Sequence, residues 1–157
     1  MNAAKAQQLW YQLSGLEFVR ACVEGQITLG SMADTMAIRP VAAEEGYLKL
    51  EVTPDQRHLN PAGMVHGGYA ATVLDMATGI VVQTVLQSGQ SCVTVDLQVQ
   101  MIKSLPLAVA CVAEGFITRR TRQLAFTRGH LLDQQGEIFA HAQSTVMIRE
   151  GAPPTPR

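Results

Sequence analysis

The chain has 157 residues, of which 47% are hydrophobic and 16% charged, and this favours one globular domain with a single sizeable core. Its 12 Lys and Arg residues nearly balance 13 Asp and Glu residues, so the net charge of -1 provides no general attraction to nucleic acid or to an anionic membrane. Three cysteines without CxxC spacing predict no disulfide framework and no zinc site, and free thiols suit a reducing cytoplasm. The N-terminus has no signal-peptide layout and no apolar run reaches the roughly 18 residues of a membrane span, so we expect a cytoplasmic protein without a membrane span.

The first half of the sequence predicts two helices and two strands. Apolar residues at helical spacing predict an amphipathic N-terminal helix over residues 5–24. Residues 31–41 are a predicted strand, which Pro40 marks as an edge or an end because proline cannot donate to a sheet ladder. Alternation in GYLKLEVT predicts a half-buried strand. Residues 67–87 are apolar on nearly all sides, which predicts a long central helix buried in the core.

Strand patterns fill the second half of the chain. Strict alternation in CVTVDLQVQMI predicts a strand with two distinct faces. The apolar face has Val93, Val95, Leu97, Val99 and Met101, and the polar face has Thr94, Asp96, Gln98 and Gln100. Three further strands follow after short turns, in LAVACVAEGFITR, QLAFTRGHLLD and EIFAHAQSTVMI, and short turns predict antiparallel pairing. A sheet that curves around one apolar helix is an α+β design, and we expect residues 1–150 to form this single domain before a disordered tail at 151–157.

One stretch, NPAGMVHGGYAATVLDMATG, places Asn60, Gly63, the triplet His66-Gly67-Gly68 and Asp75 in a fixed order. This layout resembles the signature of the hotdog-fold acyl-CoA thioesterases, of the phenylacetate-pathway and 4-hydroxybenzoyl-CoA type. The stretch VTVDLQVQ and the ending RRTRQLAFTRGHLLDQQGEIFAHAQSTVMI are similar to the same family, so the resemblance covers residues 46–148. It implies the hotdog fold, a curved antiparallel sheet wrapped around a long central helix, to which this chain adds its N-terminal helix.

The resemblance also implies an activity and an assembly. Members of the family hydrolyse the thioester of acyl-coenzyme A without a metal, and no cofactor is expected because coenzyme A is part of the substrate. They form a homodimer whose two sheets join, often paired again into a dimer of dimers. Two stretches depart from the family's pattern: MIKSLP is longer than the usual step after the strand, and Thr121 replaces a glycine before the final hairpin. Both regions border the coenzyme A side of the site in relatives.

Thioester hydrolysis must stabilise an oxyanion and bring water or a carboxylate to the carbonyl carbon. The first N–H groups of a helix have no backbone partner and carry the positive end of its dipole. The Gly67 N–H is therefore the predicted oxyanion donor, and Gly68 helps by its lack of bulk, unless the two glycines only form a tight turn into the helix. Asp75 is the only charged residue between His66 and Asp96. It is predicted to be the base that activates water or the nucleophile that forms an acyl-enzyme anhydride; a hydrogen-bonded core aspartate is the alternative.

The spacing of Gly67 and Asp75 predicts a second chain at the site. Eight residues on one helix span about 12 Å along its axis, and a side chain leaning toward the N-terminus recovers only about 2–3 Å of this distance. One helix therefore cannot bring its own Asp75 to its own Gly67. An antiparallel pair of helices at a dimer interface would form two composite sites, with Asn60, His66 and Gly67 from one subunit and Asp75 from the other.

Several other residues are candidates for this site. Asn60 is predicted to hold the attacking water or the carbonyl, unless it is only a turn residue before Pro61. His66 orients the loop or the thioester, or is an ordinary loop histidine. Thr94 matches the family position of a Ser or Thr that hydrogen-bonds the nucleophile or water, although threonine is also simply common in strands. Three arginines are predicted to grip the phosphates of coenzyme A, unless they are solvated turn residues: Arg119, Arg120 and Arg122.

Two other functions compete with hydrolysis. A hotdog module that only binds acyl-CoA, as a sensor, is the main alternative, but pure binding gains nothing from a buried acid such as Asp75. An acyl-CoA dehydratase of the same fold is a third, and its hydratase motif is absent from the sequence. The acyl group is not readable, since Met64, Tyr69 and Met76 could line a tunnel for aryl or aliphatic chains alike.

Overall fold

The computed structural model describes residues 9, 10 and 12–151. The start of the predicted N-terminal helix and nearly all of the predicted tail lie outside these residues. The described residues include the helices α1 (Gly15–Val23), α2 (Ser31–Thr35) and α3 (Gly67–Gln83), and a short 3-10 helix at Gln56–His58. The six strands are β1 (Ile38–Glu44), β2 (Tyr47–Val52), β3 (Gln90–Met101), β4 (Cys111–Arg120), β5 (Leu124–Leu132) and β6 (Ile138–Glu150). They form one antiparallel sheet in the order β1-β2-β4-β5-β6-β3.

The sheet is wrapped around the central helix α3. This helix packs against β2, β3, β4, β5 and β6. Five strands about 4.8 Å apart form a surface about 19 Å wide, which is wider than a helix of about 10–12 Å, so only a curved sheet can bring all five to one helix. The predicted α+β arrangement of a curved antiparallel sheet around a buried helix is confirmed. The predicted half-buried strand is β2, whose Leu48, Leu50 and Val52 are fully buried.

Two glycines let α3 lie directly on the sheet. Gly115 of β4 and Gly129 of β5 are paired across the strands beneath the middle of the helix. A Cβ on Gly115 would overlap the carbonyl oxygen of Ala77, and a Cβ on Gly129 would lie 2.9 Å from the methyl group of Thr78. The helix backbone therefore occupies the space that side chains would fill at these two sheet positions.

We expect Gly115→Ala to lower the free energy of unfolding by about 3 kcal/mol, because the new methyl group must displace helix backbone rather than a flexible side chain. Urea unfolding monitored by circular dichroism measures this change. Gly79→Ala, in α3 itself, is the matched control, since its Cβ would meet only Thr94 Oγ1 at an ordinary 3.5 Å. It should be neutral or stabilising, as alanine favours a helix over glycine. Equal unfolding midpoints for the two variants would contradict this account.

Both predicted helices have boundaries that the sequence pattern missed. The predicted helix over residues 5–24 is interrupted, because Ser14 is extended and caps a new helix, α1: its hydroxyl accepts from Glu17 N–H and the Glu17 carboxylate accepts from Ser14 N–H. The predicted helix over residues 67–87 ends at Gln83. There the Thr84 hydroxyl donates to Val81 O at 2.6 Å and accepts from Gly46 N–H at 2.9 Å, which ties the end of α3 to the β1–β2 turn.

The predicted strand over residues 31–41 is wrong in its first part. Residues 31–35 form α2, and β1 begins only at Ile38, after Ala37 turns the chain with a φ of 51°. The Thr28 hydroxyl accepts from Gly30 N–H and donates to the Asp34 carboxylate at 2.9 Å, and these local bonds favour the helical turn over an extended chain. The edge position predicted from Pro40 is confirmed, since β1 lies at one edge of the sheet.

The predicted faces of β3 are wrong at its start because of a β-bulge. The pairing with β6 shifts by one residue between Thr94 and Asp96, so Val95 is an extra residue on β3. Thr94 is opposite the buried Val146 and faces the helix together with the later residues Leu97 and Val99. Two valines predicted to face the core point outward instead and are 42% and 51% exposed: Val93 and Val95.

The other edge of the sheet and the following connection also differ from the pattern. β3 pairs with β6 rather than with β4, so the chain crosses the sheet between these two strands. The strand predicted from Leu107 begins at Cys111, because Ala108 has a φ of 58° and Val109 is 49% exposed. Within the described residues, no helix is both long and apolar enough to cross a membrane.

Candidate active site

The loop before α3 is organised by Asn60. Its side-chain oxygen accepts from Ala62 N–H at 2.9 Å and from Met64 N–H at 3.1 Å, and its backbone N–H donates to Met64 O. The side-chain oxygen of Asn60 is therefore a turn acceptor, whereas its NH₂ group has no acceptor among the described residues. That NH₂ group belongs to a residue lining the cavity at the start of α3, where it can donate to a ligand.

The first turn of α3 leaves one backbone donor free. His66 is the N-cap residue, and its Nδ1 accepts from Gly68 N–H at 2.8 Å, while its carbonyl accepts from Tyr69 N–H. A Cβ on Gly68 would lie 2.9 Å from that Nδ1, so glycine is needed for this cap. Gly67 N–H has no acceptor within the part of the chain that the structure describes. A free N–H at the positive end of a helix is the donor that an oxyanion requires.

A cavity of about 300 Å³ lies at this helix mouth. Asn60, His66 and Gly67 line it together with a segment that sequence reasoning assigned only to the coenzyme A side, residues 101–105. Lys103 in this segment is a residue that the sequence analysis missed; its ammonium group lies 2.8 Å from the Glu137 carboxylate. The Lys103 N–H and the neighbouring Ile102 N–H both donate to Phe139 O, which fixes the segment beside β6. The only sequence signal was the departure of MIKSLP from the family's pattern.

Asp75 lies in a separate recess of about 180 Å³ on the side of α3 that faces β3. Its carboxylate accepts a 2.9 Å hydrogen bond from the Thr94 hydroxyl, which the bulge at Val95 directs toward the helix. The carboxylate is half-buried. The remaining walls are apolar or small, and consist of Trp10, Met76, Gly79, Ile80, Cys92 and Val146.

The structure thus divides the predicted residues into two groups. Asn60, His66 and Gly67 meet at one cavity, whereas Asp75 and Thr94 meet at another. Both groups depend on α3, in which the eight residues from Gly67 to Asp75 correspond to about 12 Å along the axis of a regular helix. In a single chain, the free Gly67 N–H and the Asp75 carboxylate therefore do not face the same cavity.

The predicted phosphate-binding arginines lie at the other end of the helix. Arg120 Nη1 donates to Val85 O at 2.8 Å, just beyond the last turn of α3, and its neighbours Arg119 and Arg122 are exposed beside it. Seventeen helical residues, or about 25 Å, separate this end from Gly67 in the same chain. Within the described residues, no group of three or more His, Cys, Asp and Glu side chains is placed to hold a metal ion.

The three residues suggested as tunnel walls have different positions. Met64 lines the cavity at the helix mouth and Met76 lines the Asp75 recess. Tyr69 lines neither cavity, because its ring is buried against His58 and its hydroxyl donates to Met36 O at 3.0 Å. Burial raises the pKa of the Tyr69 hydroxyl above its ordinary range. Tyr69 is a core residue.

Comparison with known proteins places this arrangement in a family. The model of the thioesterase superfamily matches residues 62–140, half of the chain. Human acyl-coenzyme A thioesterase 13 is 26% identical over 106 residues, which are 67% of this chain and 75% of that protein. A phenylacetic acid degradation-related protein from Ralstonia eutropha JMP134 is 27% identical, with a TM-score of 0.74 over 82% of this chain and 98% of that one. The fold is also shared with the PaaI protein from the phenylacetic acid degradation operon of E. coli, at a TM-score of 0.76, 15% identity and coverage of 88% and 99%. The chain belongs to the thioesterase superfamily and is a thioester hydrolase with the hotdog fold.

Proposed function

We propose that the protein hydrolyses acyl-CoA to a free acid and coenzyme A, in composite sites built by two copies of the chain. The observation that carries this proposal is the division of α3 between two cavities, with the free Gly67 N–H at one and the Asp75 carboxylate at the other. An antiparallel pair of α3 helices would bring each Gly67 to the Asp75 of the partner copy. The acyl-coenzyme A thioesterase among the relatives supports coenzyme A as the thiol half of the substrate.

The reaction needs an oxyanion donor and a base on opposite sides of one carbonyl. Asp75 takes a proton from a water molecule as the water oxygen bonds to the thioester carbon, and the carbonyl oxygen becomes an oxyanion that Gly67 N–H stabilises. The intermediate then collapses, the C–S bond breaks, and the sulfur leaves as a thiolate that regains a proton. In the alternative route, the Asp75 carboxylate itself bonds to the carbon, and water hydrolyses the resulting anhydride.

The neighbouring residues hold these two groups in place. The Thr94 hydroxyl fixes one oxygen of Asp75 and leaves the other for water or for the thioester carbon. The Gly68 N–H donates to His66 Nδ1 in the helix cap, whereas the Gly67 N–H has no acceptor among the described residues and is free to donate to the substrate. Asn60 holds the loop through its oxygen, and we assign its NH₂ group to the attacking water or the thioester oxygen.

The cavity at the helix mouth suits the coenzyme A half of the substrate. Its walls are mixed, with Asn60, Lys103 and Ser104 beside apolar residues. The pantetheine arm of coenzyme A is likewise mixed, since it joins two amides through aliphatic carbons and is attached to a diphosphate. Lys103 is a half-exposed cation at this cavity and is a candidate phosphate ligand. Phosphate binding by the arginines at the far end of α3 stays a prediction. The arginines of the same chain are too far from this cavity, so those of the partner copy would have to reach it. We place the enzyme in the cytoplasm, which agrees with three free thiols, and keep a dimer of dimers as the expected assembly.

The test is release of coenzyme A from a panel of acyl-CoAs, from acetyl to dodecanoyl and including benzoyl and phenylacetyl. The free thiol is followed with a chromogenic disulfide reagent, and enzyme-free buffer gives the spontaneous rate. We expect turnover of at least one substrate with kcat near 1 s⁻¹ or above, a common range being about 1–10³ s⁻¹. Calorimetric binding of acyl-CoA without thiol release from any substrate would favour the sensor and contradict hydrolysis.

A further inference from the structure

Trp10 forms one wall of the recess that holds Asp75, although it lies 65 residues earlier in the chain. Its ring packs edge-on against the ring of Phe18, with centroids 4.8 Å apart and planes at 75°. Phe18 is only 2% exposed, so this contact fixes Trp10 to the core through α1. The indole is half-buried and leaves room beside it rather than filling the recess.

The short stretch that carries Trp10 is held against the end of α3. Gly15 N–H donates to Leu86 O at 3.0 Å, and the Ser88 hydroxyl donates to Gln12 O at 3.2 Å. A Cβ on Gly15 would overlap the carbonyl oxygen of Gln83, so the chain passes directly over the helix backbone at this point. The position of Trp10 is therefore set by the helix that also carries Asp75.

The recess has the character of an acyl pocket. One polar pair, Asp75 and Thr94, lies in an otherwise apolar or small lining. Burial raises the pKa of the Cys92 thiol to about 12. The Cys92 side chain therefore lines the recess as an uncharged thiol at every physiological pH. An apolar cavity of about 150 Å³ accommodates benzene. The volume here, about 180 Å³, corresponds to one aromatic ring or a short aliphatic chain.

We propose that Trp10 determines acyl-group size by closing this recess, and that the acyl chain enters it with its carbonyl beside Asp75. This inference rests on the proposed hydrolysis of acyl-CoA. Gly79 is a second wall of the same recess, and a methyl group there would make only an ordinary contact with Thr94. The two positions therefore allow the recess to be enlarged at Trp10 and reduced at Gly79.

Fluorescence gives a direct test, because Trp10 is the only tryptophan of the chain. The Asp75→Asn variant is titrated with acyl-CoA, because a variant with little activity does not consume the ligand. Trp10 is excited at a wavelength longer than the adenine absorption band, and its emission is recorded. We expect acyl-CoA to shift the emission maximum of Trp10 or change its intensity, and free coenzyme A to change it far less. An identical response to free coenzyme A and to acyl-CoA would overturn the assignment of the recess to the acyl group.

Kinetics of three variants test the size limit. Trp10→Ala should raise kcat/KM for long or bulky acyl-CoAs relative to short ones by about tenfold or more, since each methylene that newly fits contributes about fourfold. Gly79→Ala should shift the ranking the other way. Leu9→Ala, in the same stretch but outside the recess lining, is the control and should leave the ranking unchanged.

The outcomes separate the inference from the function on which it rests. No turnover by the wild-type enzyme overturns the proposed function and the inference together. Wild-type turnover with the same acyl ranking in Trp10→Ala and Gly79→Ala overturns the inference alone. If circular dichroism shows that Trp10→Ala is unfolded, the acyl ranking is measured in Trp10→Leu and Gly79→Ala instead. The first keeps an apolar contact with Phe18, and the second replaces a helix glycine with the more helix-favouring alanine.

Discussion

Replacing Asp75 with asparagine should lower kcat for acyl-CoA hydrolysis by about a thousandfold, within the about 10²–10⁴ range of a general base, and change KM by less than about threefold. The amide has the same shape as the carboxylate and can still accept the hydrogen bond of the Thr94 hydroxyl. It can neither take a proton from water nor attack a thioester. The loss therefore falls on the chemical step and spares substrate binding. Steady-state release of free thiol gives both kinetic constants.

Asp96→Asn provides the matched control for this variant. Asp96 is on the same strand as Thr94 and is exposed, and its carboxylate accepts only a 3.4 Å hydrogen bond from the Gln98 side chain. Removal of its charge should leave kcat within about twofold of the wild-type value, as is usual for a surface substitution. Retention of more than about a tenth of the wild-type kcat by Asp75→Asn would remove Asp75 from the mechanism. Acid quenching and peptide mass spectrometry of the wild-type enzyme would detect acylated Asp75 if it is the nucleophile.

Two inactive variants should form an active heterodimer. In Gly67→Val the new side chain displaces the Met101 sulfur, which would lie 2.7 Å from a Cβ at this position, and covers the free helix N–H. A heterodimer of Gly67→Val with Asp75→Asn has one site with both changes and one site with neither, if each site takes Gly67 from one copy and Asp75 from the other. Such a heterodimer should have about half of the wild-type activity per dimer, although both parents are inactive.

Coexpression with two different affinity tags and sequential purification isolates this heterodimer. A coexpressed pair that carries Asp75→Asn on both copies is the control and should stay inactive. Activity no higher than that of the parents, in heterodimers with native circular dichroism, would show that Gly67 and Asp75 of one chain act together. A fully active monomer in analytical ultracentrifugation would lead to the same conclusion.

The sequence predicted the elements whose pattern reflects a single local cause. The alternation of Leu48, Leu50 and Val52 identified β2 because one face of that strand is buried throughout. The apolar run over residues 67–87 predicted α3 because one side of this helix is buried against five strands, through residues such as Val73, Ala77 and Val81. Its other side, which includes Asp75 and Met76, is only half-buried. The group at the helix mouth followed from the His-Gly-Gly motif, since a helix terminus is defined by a few adjacent residues.

Features that depend on distant contacts could not be predicted. Ser14 ends one helical stretch through its own capping box, yet the apolar spacing continues across it. The chain needs tertiary partners to bring Lys103 beside the helix mouth and Trp10 beside Asp75, and neither pairing has a sequence motif. The bulge at Val95 was missed because the sequence alternates apolar and polar residues without a break from Val93 to Gln100. An extra residue in the pairing leaves no trace in such an alternation.

The bulge at Val95 also explains how one strand can contact both the Asp75 carboxylate and the apolar core. Upstream of Val95 the inward face holds the Thr94 hydroxyl for the carboxylate, and downstream it holds aliphatic side chains for the core. The two halves of β3 are out of phase by one residue, and the extra residue absorbs the difference. The backbone of residue 95 is therefore needed to keep the two halves of β3 in register, whereas its exposed side chain is not. Among relatives with this site we expect its identity to vary freely while its deletion is not tolerated, because losing it would rotate Thr94 away from Asp75.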